Sequence, residues 1–130
     1  MLLTITIKNL RLKGIIGIYE SERLNEQDII IQVKIDFDGD QAAQKDEIQK
    51  TIDYDQITQK IVDLVNRSKF YLLEKLAHQV LRIAMKDERV TKAWVEVAKP
   101  QAIPLADAVS VSCSGDRETW EPIATNDSNE

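Results

Sequence analysis

Residues 28–38, DIIIQVKIDFD, limit the fold more than any other stretch of this chain. Ile29, Ile31, Val33, Ile35 and Phe37 fall on one face of an extended strand, whereas Gln32, Lys34 and Asp36 share the other with Ile30, because successive side chains of a strand point to opposite sides. A strand with one apolar and one polar face needs a sheet to lie in and a single layer of cover over its apolar side. The same alternation recurs from Leu3 to Leu10, where Leu3, Ile5 and Ile7 oppose Thr4, Thr6 and Lys8. It returns in TKAWVEVAK, with Ala93, Val95 and Val97 on one side, and in DAVSVSCS, with Val109, Val111 and Cys113 set against Ser110, Ser112 and Ser114. Between the first two strands, KGIIGIYESERLNEQ reads as a charged loop bent at Gly14 and Gly17.

Between the second and third strands the apolar period changes from two to 3.6. Ile57, Ile61, Leu64 and Val65 form one stripe within residues 55–66, and Leu73, Leu76, Val80, Ile83 and Ala84 form another within residues 72–86, which predicts two amphipathic helices. Asp53 or Asp55 supplies an N-cap for the first. The order strand, strand, helix, helix, strand, strand predicts an α+β domain, a four-stranded antiparallel sheet with both helices on its apolar face. The other face carries Thr4, Thr6, Gln32, Lys34, Asp36, Glu96, Ser110 and Ser112. Two open sheet edges favour side-by-side pairing of subunits into a larger sheet or closed barrel, so a homo-oligomer is expected. The domain is read over residues 1–114 and a polar, aperiodic tail over 115–130, expected to fray.

Charge and composition remove several classes of function. The 130 residues carry 17 Lys and Arg against 22 Asp and Glu, a net charge of −5, which gives no broad footprint for nucleic acid or an anionic membrane. No segment reads as a signal peptide or membrane span, so a cytoplasmic protein is expected. One cysteine, Cys113, and one histidine, His78, cannot form an internal disulfide or a Cys/His zinc site. A metal would have to sit on carboxylates such as Glu20 and Glu22 or Asp53 and Asp55, and none is expected. His78 reads as a helix-surface or interface residue and Cys113 as a small buried hydrophobe.

Four residues stand out. Glu74, in FYLLEKLA, sits beside core-facing Leu73 at an apolar helix start, where a buried carboxylate needs a partner; it also fits an exposed first-turn glutamate favoured by the helix dipole. Lys99 ends a strand just before Pro100, at a loop where rigid backbone can aim a side chain into a pocket. Tyr54 lies at a loop-to-helix boundary and Glu22 in the glycine-flanked loop. Each has a plain reading as a solvated surface residue.

Taken in order, GIIGIYESER…NEQ, TIDYDQI, FYLLEKLAHQV, VEVAKPQAI and ADAVSVS resemble the dihydroneopterin aldolase family of folate biosynthesis, from residue 4 to about 114. The resemblance implies the tunnelling fold, in which subunits join their sheets into a ring-shaped barrel and two rings stack into a homo-octamer with pockets between subunits. It also implies a pterin substrate, anchored by the Glu74 carboxylate through two parallel N–H bonds from the 2-amino and N3 positions, with a backbone contact from Leu73. Tyr54, entering from the adjacent subunit, and Glu22 would address the polyhydroxy side chain, and Lys99 would be the general acid/base. Base work by Lys99 calls for burial or a neighbouring positive charge. No cofactor is implied, because the N5=C6 imine of 7,8-dihydroneopterin accepts the electrons released when C1′–C2′ breaks.

IGIYESER and AKPQAI resemble the aldolase pattern, whose reaction yields 6-hydroxymethyl-7,8-dihydropterin and glycolaldehyde. KNLRL, QDIIIQV, FYLLEKLAHQVLRIA and ADAVSVS lean towards the sister dihydroneopterin triphosphate 2′-epimerases, in which the aldehyde recombines and C2′ inverts. The aldolase is taken as the main reading, the epimerase as the alternative and a non-catalytic pterin-binding or scaffolding oligomer as the third. Where many aldolases have a histidine before the second glycine of the loop, this chain has Ile16.

Overall fold

The computed structural model describes residues 1–124. Four antiparallel strands form one sheet in the order β1 (Leu2–Gly14), β2 (Gln27–Asp38), β3 (Val90–Lys99) and β4 (Val109–Asp116). Two long helices, α3 (Tyr54–Arg67) and α4 (Leu73–Met85), cover its apolar face. Helix α3 lies over β1, and α4 lies over β3 and β4. The core forms between these layers from the alternating residues of β2 and the helical stripes, with Ile31, Val33, Ile35, Ile61 and Val80 fully buried. Asp53 caps α3, its carboxylate accepting the Gln56 N–H at 3.2 Å. Among the described residues no helix is long and apolar enough to cross a membrane.

Two irregularities in the sheet keep apolar side chains on the covered face. In β1 the register slips by one residue between Ile7, opposite Val33, and Leu10, opposite Ile31. The bulge absorbs the extra residue, so that Leu3, Ile5 and Ile7 before the slip, and Leu10 and Leu12 after it, still pack against the same core. Asn9 takes the positive φ of 51° within this bulge, a conformation asparagine tolerates better than most side chains, and its Oδ1 accepts the Gln32 side-chain N–H at 2.8 Å. A second slip, at Thr91 in β3, brings both Val90 and Ala93 onto the core.

Shorter elements join the main ones. The segment expected as a loop before β2 contains a helical turn, α1 (Glu20–Leu24). Helix α2 (Asp40–Lys45) and a 3₁₀ turn at Ile48–Lys50 lead from β2 towards α3. The chain is also ordered beyond the point where fraying was expected. Strand β4 runs through Gly115 to Asp116, and Trp120 packs on the core. Arg117 donates from Nη2 to the Met85 and Asp87 carbonyls at 2.8 and 2.9 Å, and from Nε to Val90 at 2.9 Å. One aromatic ring and one guanidinium hold this segment without any apolar period. The expectation for residues 125–130 lies outside the described residues.

Candidate active site

Gly17, Tyr71, Leu73, Glu74, Lys99 and Val109 are among the residues that line an open cleft of about 590 Å³ at the end of the sheet where β3 stops. Of the four residues that stand out in the sequence and Leu73, which the resemblance adds, four line this cleft: Glu22, Leu73, Glu74 and Lys99. Tyr54 does not. It opens α3 and is 55% exposed, whereas the cleft lies by the far end of that helix, where Val65 presses on Gly14. Fourteen residues of helix put about 20 Å between the two ends, so the Tyr54 of a single subunit cannot reach its own cleft.

Glu22 is the most heavily bonded side chain of the site. Its Oε1 accepts the Ile18 and Tyr19 N–H groups at 3.2 and 3.3 Å, and its Oε2 accepts Lys99 Nζ at 2.5 Å and Gln27 Nε2 at 3.2 Å. Helix α1 follows from this arrangement, because the carboxylate at its third position satisfies N–H groups at its start. Gly17 makes it sterically feasible. With φ at +133°, a conformation L side chains avoid, a Cβ there would lie 2.2 Å from Glu22 Cδ.

Lys99 is buried at 9% exposure. Its ionic partner is the Glu22 carboxylate. Burial is the largest single influence on the Glu22 carboxyl and would raise its pKa. The hydrogen bonds from Lys99, Gln27 and the Tyr19 N–H, together with the Lys99 charge, outweigh it and hold the carboxyl below its ordinary value.

The opposite wall starts α4. Leu72 is the N-cap residue, Leu73 is buried and Glu74 stands exposed in the first turn, so within one subunit the first-turn geometry accounts for Glu74 without a partner. The two walls are tied together. Gly17 N donates to the Phe70 carbonyl at 3.1 Å, and Arg23 Nη1 donates to the Gly17 and Phe70 carbonyls, both at 3.2 Å. Gln27 Nε2 also reaches the Ile16 carbonyl at 2.5 Å, with the Ile16 side chain in the core at 1% exposure. The sequence reading passed over Gln27 and Arg23. Their partners are mostly backbone carbonyls, which leave no pattern in the residue types, although Gln27 stands in the NEQ of the quoted resemblance.

The remaining reactive side chains lie elsewhere. His78 accepts the Ile123 N–H at Nε2, 3.2 Å away, and burial, then the Arg82 charge, lowers its pKa. Burial raises that of the Cys113 thiol, which disfavours the nucleophilic thiolate. Among the described residues no group of three or more His, Cys, Asp or Glu side chains stands ready to hold a metal ion.

Comparison with known proteins agrees with this geometry. Residues 5–114 match the family described as FolB, dihydroneopterin aldolase. The dihydroneopterin triphosphate 2′-epimerase of Escherichia coli (strain K12) is 43% identical over 113 residues, which cover 87% of this chain and 94% of that protein. The dihydroneopterin aldolase of Haemophilus influenzae is 27% identical over 105 residues, 81% of this chain and 89% of that protein. The Escherichia coli dihydroneopterin aldolase solved in complex with neopterin superposes with a TM-score of 0.82 at 24% identity, covering 86% of this chain and 97% of its own. The fold is therefore the tunnelling fold of these enzymes. The aldolase and the epimerase both fit the family, and the higher identity falls to the epimerase, the alternative in the sequence reading. With its sheet, its helices and the matched span all in agreement, the chain belongs to the dihydroneopterin aldolase family.

Proposed function

We propose that this protein inverts C2′ of 7,8-dihydroneopterin triphosphate by retro-aldol cleavage and recombination. The observation that carries this reading over direct aldolase function is the 43% identity to a triphosphate 2′-epimerase against 27% to an aldolase. The cleft supports the chemistry common to both. An ammonium 2.5 Å from a carboxylate makes Lys99 and Glu22 a unit that can take the proton of the C2′ hydroxyl and return it. The electrons freed by breaking C1′–C2′ move into the N5=C6 imine of the substrate, forming an enamine. Lys99 acts as acid/base rather than as an amine nucleophile, and no metal is required, because the substrate supplies its own electron sink.

In this reading Glu74 accepts the 2-amino and N3 hydrogens of the pterin, with a backbone contact from Leu73. That gives an exposed carboxylate at the cleft wall the ligand as its partner. Tyr54 arrives from a neighbouring subunit, a reading supported by its position at the other end of the sheet, and its hydroxyl protonates the enamine carbon when hydroxymethyldihydropterin is released. The assembly is a homo-octamer of two stacked rings.

Purified protein supplied with dihydroneopterin triphosphate and with dihydroneopterin tests the reading. We expect the 2′-epimer of the triphosphate as the main product, in reactions that withstand EDTA and borohydride. Conversion chiefly of dihydroneopterin to hydroxymethyldihydropterin and glycolaldehyde would return the assignment to the aldolase.

A further inference from the structure

Arg23 follows Glu22 directly in α1, and its side chain reaches across to the Phe70 carbonyl on the opposite wall of the cleft. Its guanidinium carbon lies 4.0 Å from the centroid of the Tyr71 ring, a cation–π distance. From there Nη1 reaches the Gly17 and Phe70 carbonyls together, each at 3.2 Å. The Phe70 carbonyl also receives the Gly17 N–H, so one oxygen joins two donors from the segment that carries Glu22. On one side of this junction the chain runs five residues from Gly17 to Glu22, and on the other four residues from Phe70 to Glu74. Arg23 thus donates to both segments from one guanidinium nitrogen.

We propose that Arg23 is a positioning residue that fixes the span between the Glu22–Lys99 pair and the start of α4, and thereby favours ligands long enough to touch both. Its guanidinium suits the task because a planar group with several donors can stack on an aromatic face while serving two carbonyls. A lysine would bring one compact charge and a less constrained direction. The inference rests on the reading that the pterin ring meets Glu74 while its side chain meets Glu22 and Lys99. A ligand that occupies only the Glu74 wall has no interest in the span. A ligand that bridges the walls depends on it.

Two ligands therefore separate positioning from mere support of the fold: guanine, which presents the ring edge without a side chain, and neopterin, which adds the polyhydroxy chain. Arg23→Met keeps an unbranched side chain and removes the donors and the charge. We expect its neopterin dissociation constant to rise about tenfold, the size of one charge-assisted contact, while that for guanine stays within about twofold. Arg23→Lys retains a cation over Tyr71 and should fall between wild type and Arg23→Met for neopterin, again with guanine unchanged. If Arg23→Met does not fold, the lysine variant carries the same comparison. Equal weakening of both ligands, or of neither, overturns the positioning role. A wild type that binds neither ligand overturns the pterin reading beneath it, which is a different result from a wild type that binds both and a variant that fails to discriminate.

Discussion

The two ends of the sheet handle polar groups in opposite ways. At the Val90 end, Asp87, Arg89 and Arg117 serve structure. Arg89 closes on the Asp87 carboxylate through two contacts at 3.0 and 2.6 Å, and Arg117 satisfies three carbonyls left open where α4 ends and β3 begins. At the cleft end the charged Lys99 is buried, while Tyr19, at 70% exposure, and Ile103, at 49%, stand in solvent. Polar groups turned inward and apolar groups turned outward raise the free energy of a subunit in isolation. Both ends use arginine on backbone carbonyls, so the difference lies in what the bonded group is for. One end completes a fold, and the other holds a carboxylate and an ammonium in an open cleft.

The contrast breaks most sharply at Lys99. Replacing it with alanine leaves Glu22 without its cation and should lower turnover by about 10²- to 10⁴-fold, the usual share of one acid/base group. Neopterin binding should survive comparatively well, as titration would show; a variant with near-normal turnover would reduce the pair to a structural ion pair.

Gly17→Ala comes next. Its Cβ would occupy the place of the Glu22 carboxylate and the backbone would be strained, so we expect a stability loss of about 1–3 kcal/mol with turnover greatly reduced. Denaturant unfolding and steady-state assays measure the two effects separately.

Arg117→Met reverses this pattern. Loss of a charged donor to three carbonyls should cost about 2 kcal/mol, while turnover per folded molecule stays at the wild-type level. A large loss of turnover would mean that the two ends are coupled.

The smallest effect expected is in acid. The folded pKa of Glu22 lies below its unfolded value, so its contribution to stability is complete above the ordinary carboxylate pKa, about 4.3. It is lost as pH falls through the depressed folded value. Unfolding free energies measured down this range should fall less steeply for Glu22→Gln than for the wild type. Parallel curves would show that Glu22 titrates alike in both states.

The sequence revealed the layers but not the joints. Period alone placed all four strands and both long helices, because each turns one apolar face to the core and repeats the signal many times, although β1 runs past the expected Leu10 to Gly14, which was read as a bend in the loop. Glu22 and Lys99 stood out individually, by position and then through a family likeness, yet nothing in two residues 77 positions apart announces a hydrogen bond between them. Tyr54 was expected from a neighbouring subunit, and within one chain the length of α3 separates it from the cleft. Arg23, Gln27 and Arg117 act on carbonyl oxygens, which every residue has, so their partners leave no trace in the composition. The order after Gly115 escaped for a related reason, since Trp120 docks as a single anchor and a single anchor has no period.

The bulge at Asn9 holds information of another kind. If that one residue were removed, Lys8 would still point away from the core and Leu10 towards it, so the apolar pattern does not need the insertion. An added residue does bend and twist its strand, and β1 is an edge of the sheet. Curvature and foldability are thus written separately in this strand. A chain lacking Asn9 should still bury the same side chains, but its border would be straighter, and the shape it offers to anything lying alongside would be altered without a change in its hydrophobic sequence.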